Sequence, residues 1–211
     1  MSSIIYHRQS EEVIALSAQD PQLVVLFDRV QTIEVKLEDN PFLALVKTMI
    51  AQQLSSKVAN VITQRLMDHF QQHLTPEGLL LASDEQLRQL GMSRSKVTYL
   101  KALAEAILKG DLTYHALSLL TDEEVIRQLT MIKGIGRWTA EMFLMFTLGR
   151  EDVFSVLDLG LRNAVKVLYQ DDRLTPRDIL DISQRWRPYR SVASHYLWHL
   201  WDFPDDQQDI R

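Results

Sequence analysis

The sequence predicts an all-α protein, and three observations carry that reading. Apolar residues recur at helical spacing: Phe42, Leu45, Val46, Met49 and Ile50 fall at i, i+3, i+4, i+7 and i+8, one face of a helix. Helix-opening signals recur as well, in Asp20-Pro21, Thr75-Pro76, Ser83 with Gln86, and Thr175-Pro176 with Asp178. Each places a capping oxygen just before a first turn. Finally, the few β-like runs have no evident partner strand nearby.

Residues 1–38 open on a polar lead. LVVLFDRV then reads as a helix begun by Asp20-Pro21 or as a short strand, and the helix is preferred for want of a partner. IEVKLED is ambiguous for the same reason. Continuing the stripe that starts at Phe42 lands on Gln53 and Leu54, and a glutamine on a buried stripe is odd. Either the helix ends there, with Ser55 or Ser56 capping a helix whose face is Val58, Val61, Ile62 and Leu66, or Gln53 and Leu54 stand at a helix corner and project toward a ligand. Residues 93–109 form a long amphipathic helix, with Val97, Leu100, Ala104 and Ile107 inward and Gly110 as its stop.

Thr121 and Glu124 have capping-box spacing, so a helix begins at Asp122. It breaks at Gly134-Ile135-Gly136. A second amphipathic helix runs from about 137 to 148, with Gly149 as its stop. The start of this second helix presents N–H groups and a positive dipole end beside Lys133 and Arg137, which suits an anion such as phosphate. Downstream, Asp158 is a lone carboxylate within VFSVLDLGL. It is either the N-cap of a helix starting near Leu159 or a functional acid. A late helix opens at Thr175-Pro176, and Arg187-Pro188 interrupts the chain before a terminal helix, SVASHYLWHLWDF. No Gly/Ser-rich or Pro-rich linker and no internal repeat divides the chain.

At 211 residues the chain holds one large domain or two small lobes. Its 46% hydrophobic and 24% charged content are ordinary for a globular protein. No run approaches the ~20 apolar residues that span a bilayer, and MSSIIYHRQS lacks the features of a signal peptide. Cysteine is absent, which excludes disulfides, thiolate metal sites, iron–sulfur clusters and a cysteine nucleophile. These features point to the cytoplasm and to no membrane partner. A net charge of −5 argues mildly against nucleic acid, but local distribution decides. Acids collect at Glu11, Glu12 and Asp20 and at Asp205, Asp206 and Asp209, whereas RWRPYR holds Arg185, Arg187 and Arg190 with no acid among them. His195 and His199 are four apart, like a helical metal pair, but no third ligand is near, and catalytic zinc takes three.

IKGIGRWTAEMF (132–143), the aspartate within DVFSVLDLGLR, the upstream IAQQLSSKVA (50–59) and the downstream RWRPYRSVASHYLWHLW (185–201) occur in one order and spacing. Together they resemble the helix-hairpin-helix DNA glycosylases, most closely the 3-methyladenine DNA glycosylase II branch, over roughly residues 41 to 201. The resemblance implies an all-α, two-lobed fold with the helix-hairpin-helix motif (122–148) at the interlobe cleft. The smaller lobe would comprise 1–38 and 150–211, and a central helical barrel 39–149. It also implies a monomer, nucleoid-associated, acting on double-stranded DNA that contains alkylated bases.

For the site, the resemblance makes Asp158 the catalytic carboxylate and places Trp138 and Trp198 in the base pocket. Met142 and Leu159 stand where relatives often carry aromatics, and core packing is the alternative for both. A core anchor beside Val192, Tyr196 and Leu197 is the lesser alternative for Trp198. Trp138 occupies the position of the lysine that gives some relatives lyase activity, so a monofunctional enzyme is expected. Gln53 or Leu54 matches the wedge that fills the gap behind a flipped base. Lys133, Gly134, Ile135, Gly136, Arg137, Thr139 and Arg190 match DNA-contacting positions. The carbonyls of Thr130, Ile132 and Gly134 match those that often hold a structural Na+ or K+, and no cofactor is required.

The chemistry is consistent with one carboxylate. A flipped nucleotide exposes its C1′–N bond. An N3- or N7-alkylated purine already carries positive charge and leaves as a neutral base, so the second, acid carboxyl of most glycosidases is dispensable. The expected function is a monofunctional glycosylase of alkylated purines such as 3-methyladenine and 7-methylguanine. The competing one is a non-catalytic DNA-binding protein using the same hairpin.

Overall fold

A computed structural model describes residues 2–110 and 112–202; Phe203, Asp205, Asp206 and Asp209 lie outside the described residues. The chain forms two compact units, Met1–Leu37 with Gly149–Arg211, and Glu38–Leu148. Both boundaries fall one residue before those expected.

The first unit holds β1 (Ser3–His7), α1 (Glu11–Gln19), α2 (Pro21–Val30) and β2 (Thr32–Lys36). β1 and β2 pair antiparallel, from Ser3 opposite Lys36 to His7 opposite Thr32. The missing partner for IEVKLED was therefore the chain start. It escaped notice because each strand is five residues long and buries a single side chain, Tyr6 or Val35, too short an alternation to read. α11 (Leu159–Tyr169), α12 (Pro176–Ser183), a 3-10 turn (Gln184–Trp186) and α13 (Arg190–Asp202) complete this unit. Its core includes Leu16, Leu23, Phe27, Trp186, Tyr196 and Leu197, with Phe27 meeting Tyr196 edge-on at 4.7 Å. Asp20 ties this core together. It caps α2 by accepting from the Gln22 N–H at 3.1 Å, and it also accepts from the Trp186 indole at 2.8 Å and the Tyr169 hydroxyl.

The second unit is entirely helical among its described residues: α3 (Pro41–Ala51), α4 (Ser56–His69), α5 (Pro76–Leu81), α6 (Asp84–Gln89), α7 (Arg94–Leu108), α8 (Tyr114–Leu119), α9 (Asp122–Thr130) and α10 (Arg137–Phe146). The expected capping boxes form at Ser83 with Gln86 and at Thr121 with Glu124. All five stripe residues of α3 are buried. The α4 face differs from expectation. Ala59, Ile62 and Leu66 are buried, spaced at i, i+3 and i+7, while Val58 and Val61 are exposed. No described helix is long and apolar enough to cross a membrane.

Candidate active site

The hairpin lies within the second unit. α9 ends at Thr130, a turn occupies residues 131–136, and α10 begins at Arg137. Its two glycines serve different ends. Gly134 has φ +93, and a Cβ there would stand 2.3 Å from Cγ of Tyr99. Only glycine suits that backbone and that packing. Gly136 is extended, at φ −97, and a Cβ on it would meet nothing within 4 Å. Neither conformation nor packing requires glycine at 136. It is exposed and offers no side-chain cap to the first turn of α10, so it keeps the helix start open to an incoming group.

Gln52, one residue before the expected wedge, holds this turn. Its amide donates to the Gly134 carbonyl at 3.0 Å and to the Thr139 hydroxyl at 2.9 Å. Lys96 closes the end of α3, donating to the carbonyls of Met49, Ile50 and Gln52 at 3.2, 2.7 and 2.8 Å. Burial lowers the Lys96 pKa from its ordinary value. Beyond this anchor, Gln53 is exposed in the left-handed region (φ +58) and Leu54 is exposed beside it. A non-glycine residue held in that region is strained, as residues at ligand-facing corners often are.

Several expected DNA contacts are otherwise engaged. Thr139 and Ile135 are buried, and the Ile135 N–H donates to the Ile132 carbonyl at 3.0 Å. Their side chains support the turn from within. Arg137 is clamped between Glu141 at 2.9 Å and Glu123 at 2.5 Å. Arg190 departs furthest from expectation. Its side chain grips both carboxylate oxygens of Asp152, at 2.6 and 3.1 Å, and the Asp152 carbonyl at 2.7 Å. It anchors the start of α13, so the basic reading of RWRPYR does not extend to it. Lys133 and Gly136 are exposed, Trp138 is half-buried, and Met142 is buried in α10.

In the first unit, Asp158 caps α11, its Oδ1 accepting from the Leu161 N–H at 2.8 Å. The same oxygen accepts from the Trp198 indole N–H at 3.1 Å. Asp20 has this same pairing of cap and indole, and the contrast between the two is informative. Asp20 is 2% exposed and structural. Asp158 is only half-buried, and the leucines beside it are turned outward, Leu157 at 54% and Leu159 at 62% exposed. A cap alone needs no exposed leucine on either side of it. Gly160 lets the helices close up: a Cβ there would lie 3.2 Å from Trp201 and from the Asp158 carboxylate and 3.5 Å from Trp198. Behind Trp198 lies His195, ring centroids 5.8 Å apart, and behind that Tyr6, stacked at 6.4 Å. Burial pushes the His195 pKa down to about 4, so the ring is neutral at ordinary pH. His195 thus packs as a neutral ring within an aromatic stack.

Residues 46–188, which contain the hairpin and Asp158, match the HhH-GPD superfamily of base excision DNA repair proteins. The chain belongs to that family. It is 37% identical over 175 residues to DNA-3-methyladenine glycosylase 1 of Schizosaccharomyces pombe, covering 81% of this chain and 77% of that protein. Two solved structures are similar throughout. The Bacillus halodurans DNA-3-methyladenine glycosidase has a TM-score of 0.83 at 37% identity, covering 96% of this chain and 94% of the other. The S. pombe 3-methyladenine DNA glycosylase in complex with abasic DNA has a TM-score of 0.87 at 34% identity, covering 93% and 98%.

Within this HhH-GPD chain, three supporting residues escaped the sequence reading. Gly160 had a signal: a glycine inside a helix costs about 1 kcal/mol relative to alanine and so asks for a packing reason. Gln52 had a weaker one, as the polar residue that ends an apolar stripe. Lys96 had none, since its role depends on where α7 meets the end of α3.

Proposed function

We propose that the chain is a monofunctional DNA glycosylase that hydrolyses the N-glycosidic bond of alkylated purines in double-stranded DNA. The observation that carries this is Asp158. It is a carboxylate at a helix start, oriented by two N–H donors on one oxygen and flanked in the chain by exposed leucines. The names of the similar glycosylases and the abasic-DNA complex support the same reading.

Residues at the hairpin hold the backbone irrespective of sequence. Gly136 admits a phosphate to the first turn of α10, and Lys133 adds charge. Gln53 or Leu54 fills the space left by the flipped nucleotide. Trp138 and Trp198 offer aromatic faces to a cationic purine, an attraction of about 0.5–2 kcal/mol each. As the C1′–N bond breaks, its electron pair leaves with the base, neutralising the purine, and positive charge develops on the sugar. Asp158 stabilises that charge. It then takes the proton of the water whose oxygen bonds to C1′. With tryptophan at 138, no amine stands there to form a Schiff base.

The carbonyl oxygens of Thr130, Ile132 and Gly134 are hard donors suited to Na+ or K+. Those of Ile132 and Gly134 each already accept one protein N–H and retain a second lone pair. A cation there would add positive charge beside the phosphate.

Duplex DNA carrying 3-methyladenine or 7-methylguanine tests the proposal. The wild type releases the base and leaves an intact abasic site. Asp158→Asn keeps a cap acceptor, so it melts as the wild type does, but releases base about 10²–10⁴ times more slowly. DNA binding without base release by the wild type would favour the non-catalytic alternative.

A further inference from the structure

Asp158 is followed at i+4 and i+8 by Arg162 and Lys166. These three positions lie within about 80° of one another around α11, with about 6 Å of rise between successive members. Arg162, Asn163 and Lys166 line a recess of about 260 Å³ whose apolar walls include Leu159, Leu174 and Ile179. No carboxylate lines it.

What sets this recess apart is that its cations are half-buried and yet not paired with a carboxylate. Arg137, Arg173 and Arg190 are each paired with carboxylates. Among the described residues, the side chains of Arg162 and Asn163 make no hydrogen bond or ion pair, and Lys166 acts only at a distance on Asp171. Nor are they simply solvated surface groups, because all three are half-buried. Partial desolvation of a cation without a counter-charge is unfavourable until an anion arrives. A deoxynucleotide whose C1′ faces Asp158 carries phosphates on its own 3′ and 5′ oxygens, a few bonds away. Apolar walls beside the cations suit the carbon face of a deoxyribose.

We propose that this recess on α11 binds a phosphodiester of the DNA strand next to the sugar held at Asp158, with Arg162 and Lys166 neutralising it and Asn163 donating to it. The inference rests on the proposed role of Asp158 but concerns a separate contact. It gives an acidic chain a phosphate grip on the unit that carries the carboxylate, distinct from the hairpin.

The test is the salt dependence of binding to a duplex with an abasic site, for the wild type and for Arg162→Gln/Lys166→Gln. Each lost phosphate contact lowers the magnitude of the log–log slope by about 0.9, so the double variant, which loses one phosphodiester, should lose roughly 1 while its melting temperature stays unchanged. A second arm replaces single phosphates flanking the abasic nucleotide by neutral methylphosphonates. One such position should weaken wild-type binding about tenfold yet leave the double variant unaffected. An unchanged salt slope, or losses that simply add, overturns the proposal. Base release is measured separately. An unchanged slope in an active enzyme removes the recess alone, whereas a reduced slope in a chain that releases no base retains the recess and removes the enzyme.

Discussion

At the scale of the residue, the Trp198 side chain serves two purposes that substitution can separate. Its ring is an aromatic face, and its indole N–H donates to Asp158 Oδ1, as the Leu161 N–H does. A hydrogen bond to a charged group contributes about 1.5–3 kcal/mol net, more than a neutral one. Without it the carboxylate loses a donor that helps to fix the plane of the group, while the cap bond to Leu161 remains. Trp198→Phe retains the ring and removes the donor. Excision by this variant should therefore slow about tenfold in kcat at unchanged KM, and its melting temperature should fall by about 3–12 °C. Single-turnover kinetics on a 7-methylguanine duplex measure this directly. A raised KM at unchanged kcat would assign Trp198 to base stacking instead.

At the scale of the element, the hairpin shows why two identical residues two apart are not equivalent. Gly134→Ala adds a Cβ against the ring root of Tyr99 in a left-handed backbone, combining strain and overpacking for roughly 2–5 kcal/mol of destabilisation. Gly136→Ala meets nothing within the protein and should cost about 1 kcal/mol at most, as a slightly poorer cap. It should nevertheless weaken DNA binding about tenfold, because the added methyl occupies the approach to the helix start. Thermal melting and fluorescence anisotropy on the two variants would show the inversion; wild-type affinity in Gly136→Ala would remove the hairpin start from the interface. The pair also marks how far sequence reading reached. Glycine spacing, capping boxes and the α3 stripe were legible because each depends on residues within one or two turns. What depends on distant partners was not. Gln53 was seen as the odd residue on its stripe, yet the side chain that turns inward is Gln52, because α3 ends at Ala51 and the next residues leave the helical path. Arg190 read as a free cation because its partner, Asp152, lies 38 positions upstream. β1 was invisible until β2 lay beside it.

At the scale of the whole molecule, both ends of the chain build one unit, so the aromatic stack behind Asp158 joins residues nearly 190 positions apart. Tyr6, on β1, packs on His195, and His195 packs on Trp198. The stack makes stability depend on pH, since burial holds the His195 pKa at about 4 against an unfolded value near 6.5. Between those values the unfolded chain binds a proton that the folded chain excludes. Stability from this group is therefore fully present above about pH 6.5 and is lost as pH falls toward 4. At about 1.4 kcal/mol per pH unit the loss is on the order of 3 kcal/mol. For a chain of this size each kcal/mol shifts the melting temperature by about 2–4 °C. Other groups titrate in the same window, among them Glu151, whose carboxyl burial pushes up and whose effect has the opposite sign. The informative quantity is therefore the difference between the wild type and His195→Phe, which keeps an aromatic ring in the stack and removes the titrating group. The wild type should lose melting temperature more steeply than the variant between pH 6.5 and 4.5, and parallel curves would mean that His195 is protonated as readily folded as unfolded.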